Sequence, residues 1–327
     1  MSSVPVLSGG LQVPRTLQYR QVDVFTDRPL SGNALAVFLD GRGLEPRVMQ
    51  AIARELNLPE TAFLLPPSVD DATYCIRTFT PCEETFSAAQ AYHGTAFVLA
   101  EEALIPLSEP LTTVWQQTQI GVVSPVEVEV AGGRPVKVSV TADVPVFGRV
   151  FGRPGSPVLA ALALALGVDP DDLTSRGLFP QIVSTRDPYL IVCLENLDRL
   201  SGVEPDFSAL RRIGEQLDVT GFSVFAPHAR DLRAQVHVRF FSCSNGGVEE
   251  PASAGAAAAL GAYLANRRVI RPDTAGPARF TIEQGVEMLR PSYIEVSVAV
   301  DSLDLQSYTV RVSGACATVA SGELLLP

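Results

Sequence analysis

Two stretches of the chain are small or apolar on every face. Residues 88–99 read AAQAYHGTAFVL and residues 254–264 read AGAAAALGAYL. A helix on a protein surface carries a charged stripe opposite its apolar one. Neither stretch has such a stripe. Both are therefore predicted as helices enclosed by other structure, where small side chains let neighbouring backbones come close. Around them the pattern alternates with the period of strands. Strands are expected at Gln18–Phe25, Ala34–Leu39, Ala62–Leu65, Ala72–Thr80, Leu111–Thr118, Val126–Val130 and Val136–Val140, with Gly132-Gly133 as a hairpin turn. The second part of the chain repeats the theme at Pro180–Val183, Tyr189–Leu194, Gly221–Pro227, Ala234–Ser242, Ile294–Val300, Thr309–Val312 and Ala315–Ser321. Helical spacing appears at Pro46–Leu56, Pro154–Leu166 and Phe207–Leu217.

Each enclosed helix is introduced in the same way. Arg77-Thr78-Phe79-Thr80 runs into a loop with the acid pair Glu83-Glu84, then a helix with Gly94. Arg239-Phe240-Phe241-Ser242 runs into a loop with Glu249-Glu250, then a helix with Gly255. From arginine to glycine the spacings are 17 and 16 residues, and the copies lie about half the chain apart. Pro251 is read as the first turn of the second helix, with Glu249 and Glu250 beside its free N–H groups. Two similar halves, each a sheet curled round one helix, would bring two helix N-termini together across a cleft. Such a cleft suits a small carboxylate and can place groups on opposite faces of one substrate.

At 327 residues the chain exceeds the size of one typical core, so two domains are expected. It is 46% hydrophobic and 19% charged, as a well-packed globular protein is. A net charge of −11 argues against nucleic acid or an anionic membrane as a partner. Lys137 is the one lysine, which leaves no other site for Schiff-base chemistry. Five cysteines and three histidines show no zinc spacing, and a reduced cytoplasmic protein is the simplest account. Residues 1–16 read as a loose extension with no signal-peptide pattern, and no apolar run is long enough to span a bilayer.

Several segments, in order, resemble the phenazine-biosynthesis PhzF-like family within the diaminopimelate epimerase/proline racemase fold. Val22-Asp23-Val24-Phe25-Thr26 and Ser31-Gly32-Asn33-Ala34-Leu35-Ala36-Val37-Phe38 are similar to its opening strand and its SGNPLAVF segment. Asn57-Leu58-Pro59-Glu60-Thr61 is similar to its NLSET segment, and Val183-Ser184-Thr185, Gln284-Gly285 and Arg290-Pro291-Ser292 follow. The resemblance implies an α+β fold of two pseudo-symmetric domains, each a curled, mostly antiparallel sheet round a central helix. The expected boundaries are 17–140 and 141–327. The resemblance also implies a homodimer, an active site between the domains, and no cofactor or metal.

The family's functional motifs are altered in this chain. Its first central helix begins FAGHPTLGTA; here the histidine falls on Gln90. Its second begins EDPATGSA; here the aspartate becomes Glu250 and the serine Gly255. Glu60 is unchanged and is the family's general acid/base. Glutamate works as a proton shuttle when burial raises its pKa toward neutrality. Glu250 is either a second acid/base or an acid stabilised by the helix end. Gln90 is a substrate contact or helix filler; it cannot shuttle a proton. His93, one turn on, is either a replacement imidazole or a structural histidine. Asn33, Gly94, Ser253, Ala254 and Gly255 complete the expected binding residues. Cys82 and Cys243 lie in equivalent loops, and the epimerase branch of the fold uses two facing cysteines, but neither sits at a helix start. The implied activity is a divergent isomerase or cyclase acting on a small, carboxylate or natural-product, substrate in secondary metabolism. A catalytically inactive small-molecule binding protein is the alternative, and a purely structural role is a third.

Overall fold

A computed structural model describes residues 15–86, 89–153, 155–174, 176–243, 247–270, 276–300 and 308–326. Most of the expected extension (1–14), Ser87-Ala88 before the first enclosed helix, and Pro154 lie outside the described residues. The described residues form six helices: α1 (Pro46–Leu56), α2 (Ala89–Glu101), α3 (Pro157–Leu166), α4 (Leu197–Ser201), α5 (Phe207–Leu217) and α6 (Ala254–Asn266).

The strands form one continuous curled sheet in two matching runs. In the first, Arg15–Val24 pairs antiparallel with Asn33–Phe38, which runs parallel to Glu60–Leu65. Glu60–Leu65 pairs antiparallel with Tyr74–Phe79, which runs parallel to Leu111–Thr118. Two antiparallel steps then reach Val123–Ala131 and Arg134–Thr141. The second run repeats this alternation through Gln181–Ser184, Pro188–Cys193, Gly221–Ala226, Val236–Ser242, Ala278–Gln284, Ser292–Val300 and Tyr308–Gly314. The runs join where Arg134–Thr141 pairs with Tyr308–Gly314. The last strand, Cys316–Leu326, returns to pair with Arg15–Val24. Arg15 and Thr16, read above as extension, are part of that pairing.

α2 and α6 lie inside the two curls, as their composition demands. Eleven residues of α2, Gln90–Ala100, are buried. In α6 all but Gly255 and Asn266 are buried. Gly94 shows why small residues are needed: a Cβ there would overlap Leu35 and press on Val24 and Val22 at 3.1 and 3.2 Å. The outer faces of the sheet have separate cores. α1 lays Met49, Ile52 and Ala53 over Phe38, Phe63 and Phe79, with the first two rings stacked 4.8 Å apart. α3 and α5 cover the second half through Leu162, Leu166, Leu210 and Ile213.

The start of α6 differs from expectation. Val248–Glu250 is a short strand on Phe240–Ser242, and Pro251 lies outside the helix. Ser253 is the N-cap, accepting from the Ala256 N–H at 3.4 Å. A serine hydroxyl satisfies a first-turn donor directly, so the helix begins there. The short strand is repeated in the first half as Glu84–Thr85 on Thr78–Phe79. Only one acid of each pair is drawn into the repeat. Arg77 forks onto Glu84 at 2.7 and 2.6 Å, and Arg239 onto Glu249 at 2.9 and 2.8 Å. Each guanidinium also sits over the phenylalanine two residues on, Phe79 or Phe241. These bidentate, part-buried pairs hold the loops that lead into the central helices.

Matching the glycines of the two copies proves to be off by one helical turn. The helices are equally long, 13 residues each, so Ala89 corresponds to Ala254 and Gln90 to Gly255. Gly94 lies a turn deeper, where it serves packing against Leu35.

Candidate active site

The N-termini of α2 and α6 open onto one cleft of about 760 Å³. Residues from both halves line it: Asn33, Glu60, Ala89 and Gln90 from the first, Tyr189, Ser242, Glu250, Ser253, Ala254 and Gly255 from the second. Met288 and Arg290, on a turn after Ala278–Gln284, also line it. That turn is fixed by Gly285, whose φ of +76° suits glycine and whose missing Cβ leaves room for the Pro251 carbonyl.

Glu60 is the first residue of its strand, directly after the left-handed cap of α1 at Asn57 and the Leu58-Pro59 step. Its carboxyl reaches the cleft wall, and Oε2 is buried with no hydrogen-bond partner. Burial, and then the charge of Glu250, push its pKa up to about 8; only the Ala91 N–H at the first turn of α2 pulls the other way. Glu250 ends the short strand before α6. Burial raises its pKa to about 7, with the Ser242 hydroxyl opposing. Near neutral pH the pair therefore holds one proton more than two ordinary carboxylates would. The two acids do not occupy equivalent places in the repeat: by strand register Glu60 corresponds to Gly221, and Glu250 to Thr85.

Asn33 and Gln90 form one unit. Asn33 Nδ2 donates to Gln90 Oε1 at 2.6 Å and to the Ala252 carbonyl at 3.0 Å. Gln90 Nε2 donates to the Ala34 carbonyl at 3.2 Å. Gln90 thus spends its amide inside the protein and anchors α2 to its sheet. Asn33 ties the first half to the loop before α6, and its buried Oδ1 has no partner. Arg290 makes a second tie between the halves. It donates to Asp23 Oδ1 at 2.7 Å, to the Ser31 carbonyl at 2.8 Å and to the Gly32 carbonyl at 2.9 Å.

Two expected residues are not brought to this cleft. His93 is fully buried, with Nδ1 and Nε2 at 2.7 and 3.1 Å from the Ala89 and Val312 carbonyls. Burial lowers its pKa, which keeps the ring neutral. Gly94 packs against the sheet as described. Nor do the cysteines face each other: Cys82 is exposed at the cleft rim, whereas Cys243 packs on Gly214 of α5. Two cleft residues had no sequence signal strong enough to single them out. Tyr189 reads as an ordinary strand residue, and Arg290 stood only as part of a family segment.

Residues 22–322 match the family described as phenazine biosynthesis-like protein. The chain belongs to that family. A trans-2,3-dihydro-3-hydroxyanthranilate isomerase of Pseudomonas aeruginosa is 33% identical over 94% of this chain and 99% of its own length. An uncharacterized isomerase of Clostridium acetobutylicum is 30% identical over 94% of this chain and 97% of its own. Among solved structures, a predicted epimerase of Pseudomonas aeruginosa superposes with a TM-score of 0.75 at 28% identity, covering 94% of this chain and 99% of that one. A hydroxyproline epimerase of Agrobacterium vitis, at 14% identity, shares the fold with a TM-score of 0.61 over 95% of this chain and 93% of that one. The phenazine biosynthesis-like chain is thus an enzyme of the isomerase class with the epimerase-type fold. Among the described residues no group of three or more His, Cys, Asp and Glu is placed to hold a metal ion, and no helix is long and apolar enough to cross a membrane.

Proposed function

We propose that this enzyme isomerises a small carboxylate or natural-product substrate by proton transfer in the cleft between its halves, without a cofactor. Glu60 is the principal acid/base and Glu250 the second carboxyl group. One observation carries the reading: the buried, unpartnered Oε2 of Glu60, on a carboxyl whose pKa of about 8 lies close to working pH. A group that both gives and takes a proton works best when its pKa is near ambient pH. Glu250 lies near enough to perturb Glu60, so the two act as a coupled pair, one protonated while the other is ionised. The first turns of α2 and α6 supply N–H groups to an anionic substrate group. The domain division at about residue 140, a homodimer and a cytoplasmic location belong to the same reading.

The test is exchange in deuterated water. The protein is incubated with trans-2,3-dihydro-3-hydroxyanthranilate and a panel of small cyclic and unsaturated carboxylates, and proton spectra are followed. Support comes from a compound that gains deuterium at carbon, or is isomerised, with wild-type protein and not with Glu60→Gln. Equal rates with both proteins would remove Glu60 from the mechanism.

A further inference from the structure

The internal repeat provides its own control for one residue of the cleft. By strand register Tyr189 corresponds to Leu35: each opens a parallel pairing, Leu35 with Glu60 and Tyr189 with Gly221. Each points inward at its central helix. Leu35 is completely buried against α2 and carries nothing polar. Filling that place in the fold therefore needs only an apolar side chain. Tyr189 fills it with a phenol, and the ring extends to the cleft wall.

At the equivalent second residue of each central helix the residue type changes in the opposite sense. In the first half α2 presents Gln90, a polar side chain. In the second half α6 presents Gly255, and a Cβ there would overlap the Tyr189 hydroxyl and meet its Cζ at 3.2 Å. The polar group at the second helix end thus comes from the strand instead of the helix. The ring is held by an edge-on contact with Phe240, 5.7 Å between centroids. Its hydroxyl lies 3.5 Å from Asp187 Oδ2, at the limit of a hydrogen bond. Burial, then the charges of Asp187 and Glu250, raise the phenol's pKa far above neutrality, against a hydrogen bond with the Thr220 side chain, so it stays protonated.

We propose that Tyr189 is a substrate-contacting hydroxyl on the Glu250 side of the cleft, donating a hydrogen bond to an oxygen of the bound substrate, and that Gly255 is required to make room for it. The inference rests on the cleft being the substrate site. It adds a specificity-determining residue on the second half, opposite Glu60. A buried hydroxyl donor discriminates strongly for a ligand with a matching acceptor.

The experiment is calorimetric titration with trans-2,3-dihydro-3-hydroxyanthranilate and with each carboxylate of the panel. Tyr189→Phe keeps the ring and its contact with Phe240, so it removes the hydroxyl alone. Loss of one such hydrogen bond is expected to weaken binding about tenfold. Gly255→Ala is expected to weaken binding similarly by displacing the phenol, and to lower the melting temperature. In the double variant Tyr189→Phe/Gly255→Ala the overlap with the hydroxyl is gone and only the 3.2 Å contact with Cζ is left, so most of the lost melting temperature returns while binding does not. Tyr189→Phe that binds as wild type overturns the inference and leaves the role of Glu60 intact. Wild-type protein that binds none of these compounds contradicts the cleft reading and the inference together.

Discussion

Glu60 lines the cleft with its Oε2 buried and without a hydrogen-bond partner, and the charge of Glu250, contributed by the other half of the chain, helps hold its proton in place. A folded-state pKa above the unfolded value means that the native protein binds the proton more tightly. The stability linked to it is complete below the unfolded pKa, near 4.5, and is lost as pH rises through about 8 for Glu60 and about 7 for Glu250. Glutamine mimics the protonated form and removes that loss. Glu60→Gln is therefore expected to stabilise the protein at pH 9 by about 2 kcal/mol or more, with little change at pH 5. Denaturant unfolding at the two pH values measures this. Equal stabilisation at both would mean that Glu60 is ionised throughout.

Arg290 crosses from the end of the second half to the buried carboxylate of Asp23, which is 1% exposed. Arg290→Ala leaves that carboxylate buried without its cation, with the Leu30 N–H at 2.7 Å still donating to it, which costs about 3 kcal/mol. Arg290→Ala/Asp23→Asn is expected to recover part of the loss. A double variant as unstable as the sum of the singles, by urea unfolding, would rule out the pairing.

His237 sits fully buried between Glu283, 2.6 Å from Nδ1, and Glu287, 3.1 Å from Nε2. Burial opposes its charge, but the carboxylates outweigh burial and its pKa is raised; in return both glutamates are lowered. The histidine's contribution is complete below pH 6.5 and falls as pH rises through its folded pKa. The glutamates contribute fully above pH 4.5 and lose this as pH falls. His237→Gln should thus cost most stability between pH 4.5 and 6.5, and less at pH 9. Melting curves across that range check it; a cost independent of pH contradicts the charged clamp.

Gly94→Ala forces a methyl group into Leu35 and should cost about 1–3 kcal/mol by overpacking. Unlike Gly255→Ala, it is expected to leave ligand affinity unchanged in the folded protein, because Gly94 does not line the cleft. Calorimetry of the purified variant below its melting temperature decides this; a loss of affinity would return Gly94 to the binding site.

The buried helices were legible because a helix inside a curled sheet carries no charged stripe, and 89–100 and 254–264, small or apolar on every face, have none. The repeat was legible as two strand–loop–helix units, but its register was not. Gly94 and Gly255 are both close-contact glycines, one against Leu35 and one against Tyr189, and sequence spacing cannot tell which neighbour each one meets. The start of α6 was misread because Pro251 is a good helix opener, whereas a serine two residues later caps better and Val248–Glu250 finds a strand partner in Phe240–Ser242. Glu60 and Glu250 were found by family resemblance, and their shared cleft depends on contacts between distant segments. Tyr189 was missed because an inward tyrosine and an inward leucine give the same hydrophobic pattern, and only the repeat, once folded, shows that the hydroxyl is surplus to packing.

The central claim is that Glu60 moves the proton. It is tested most directly by measuring turnover and affinity together, for wild type and Glu60→Gln, on a compound that exchanges in deuterated water. The account predicts that Glu60→Gln lowers kcat at least a hundredfold while binding the compound within a few-fold of wild type, in line with the 10²–10⁴-fold worth of a positioned acid/base. A variant that keeps wild-type turnover, with the same affinity, would contradict it.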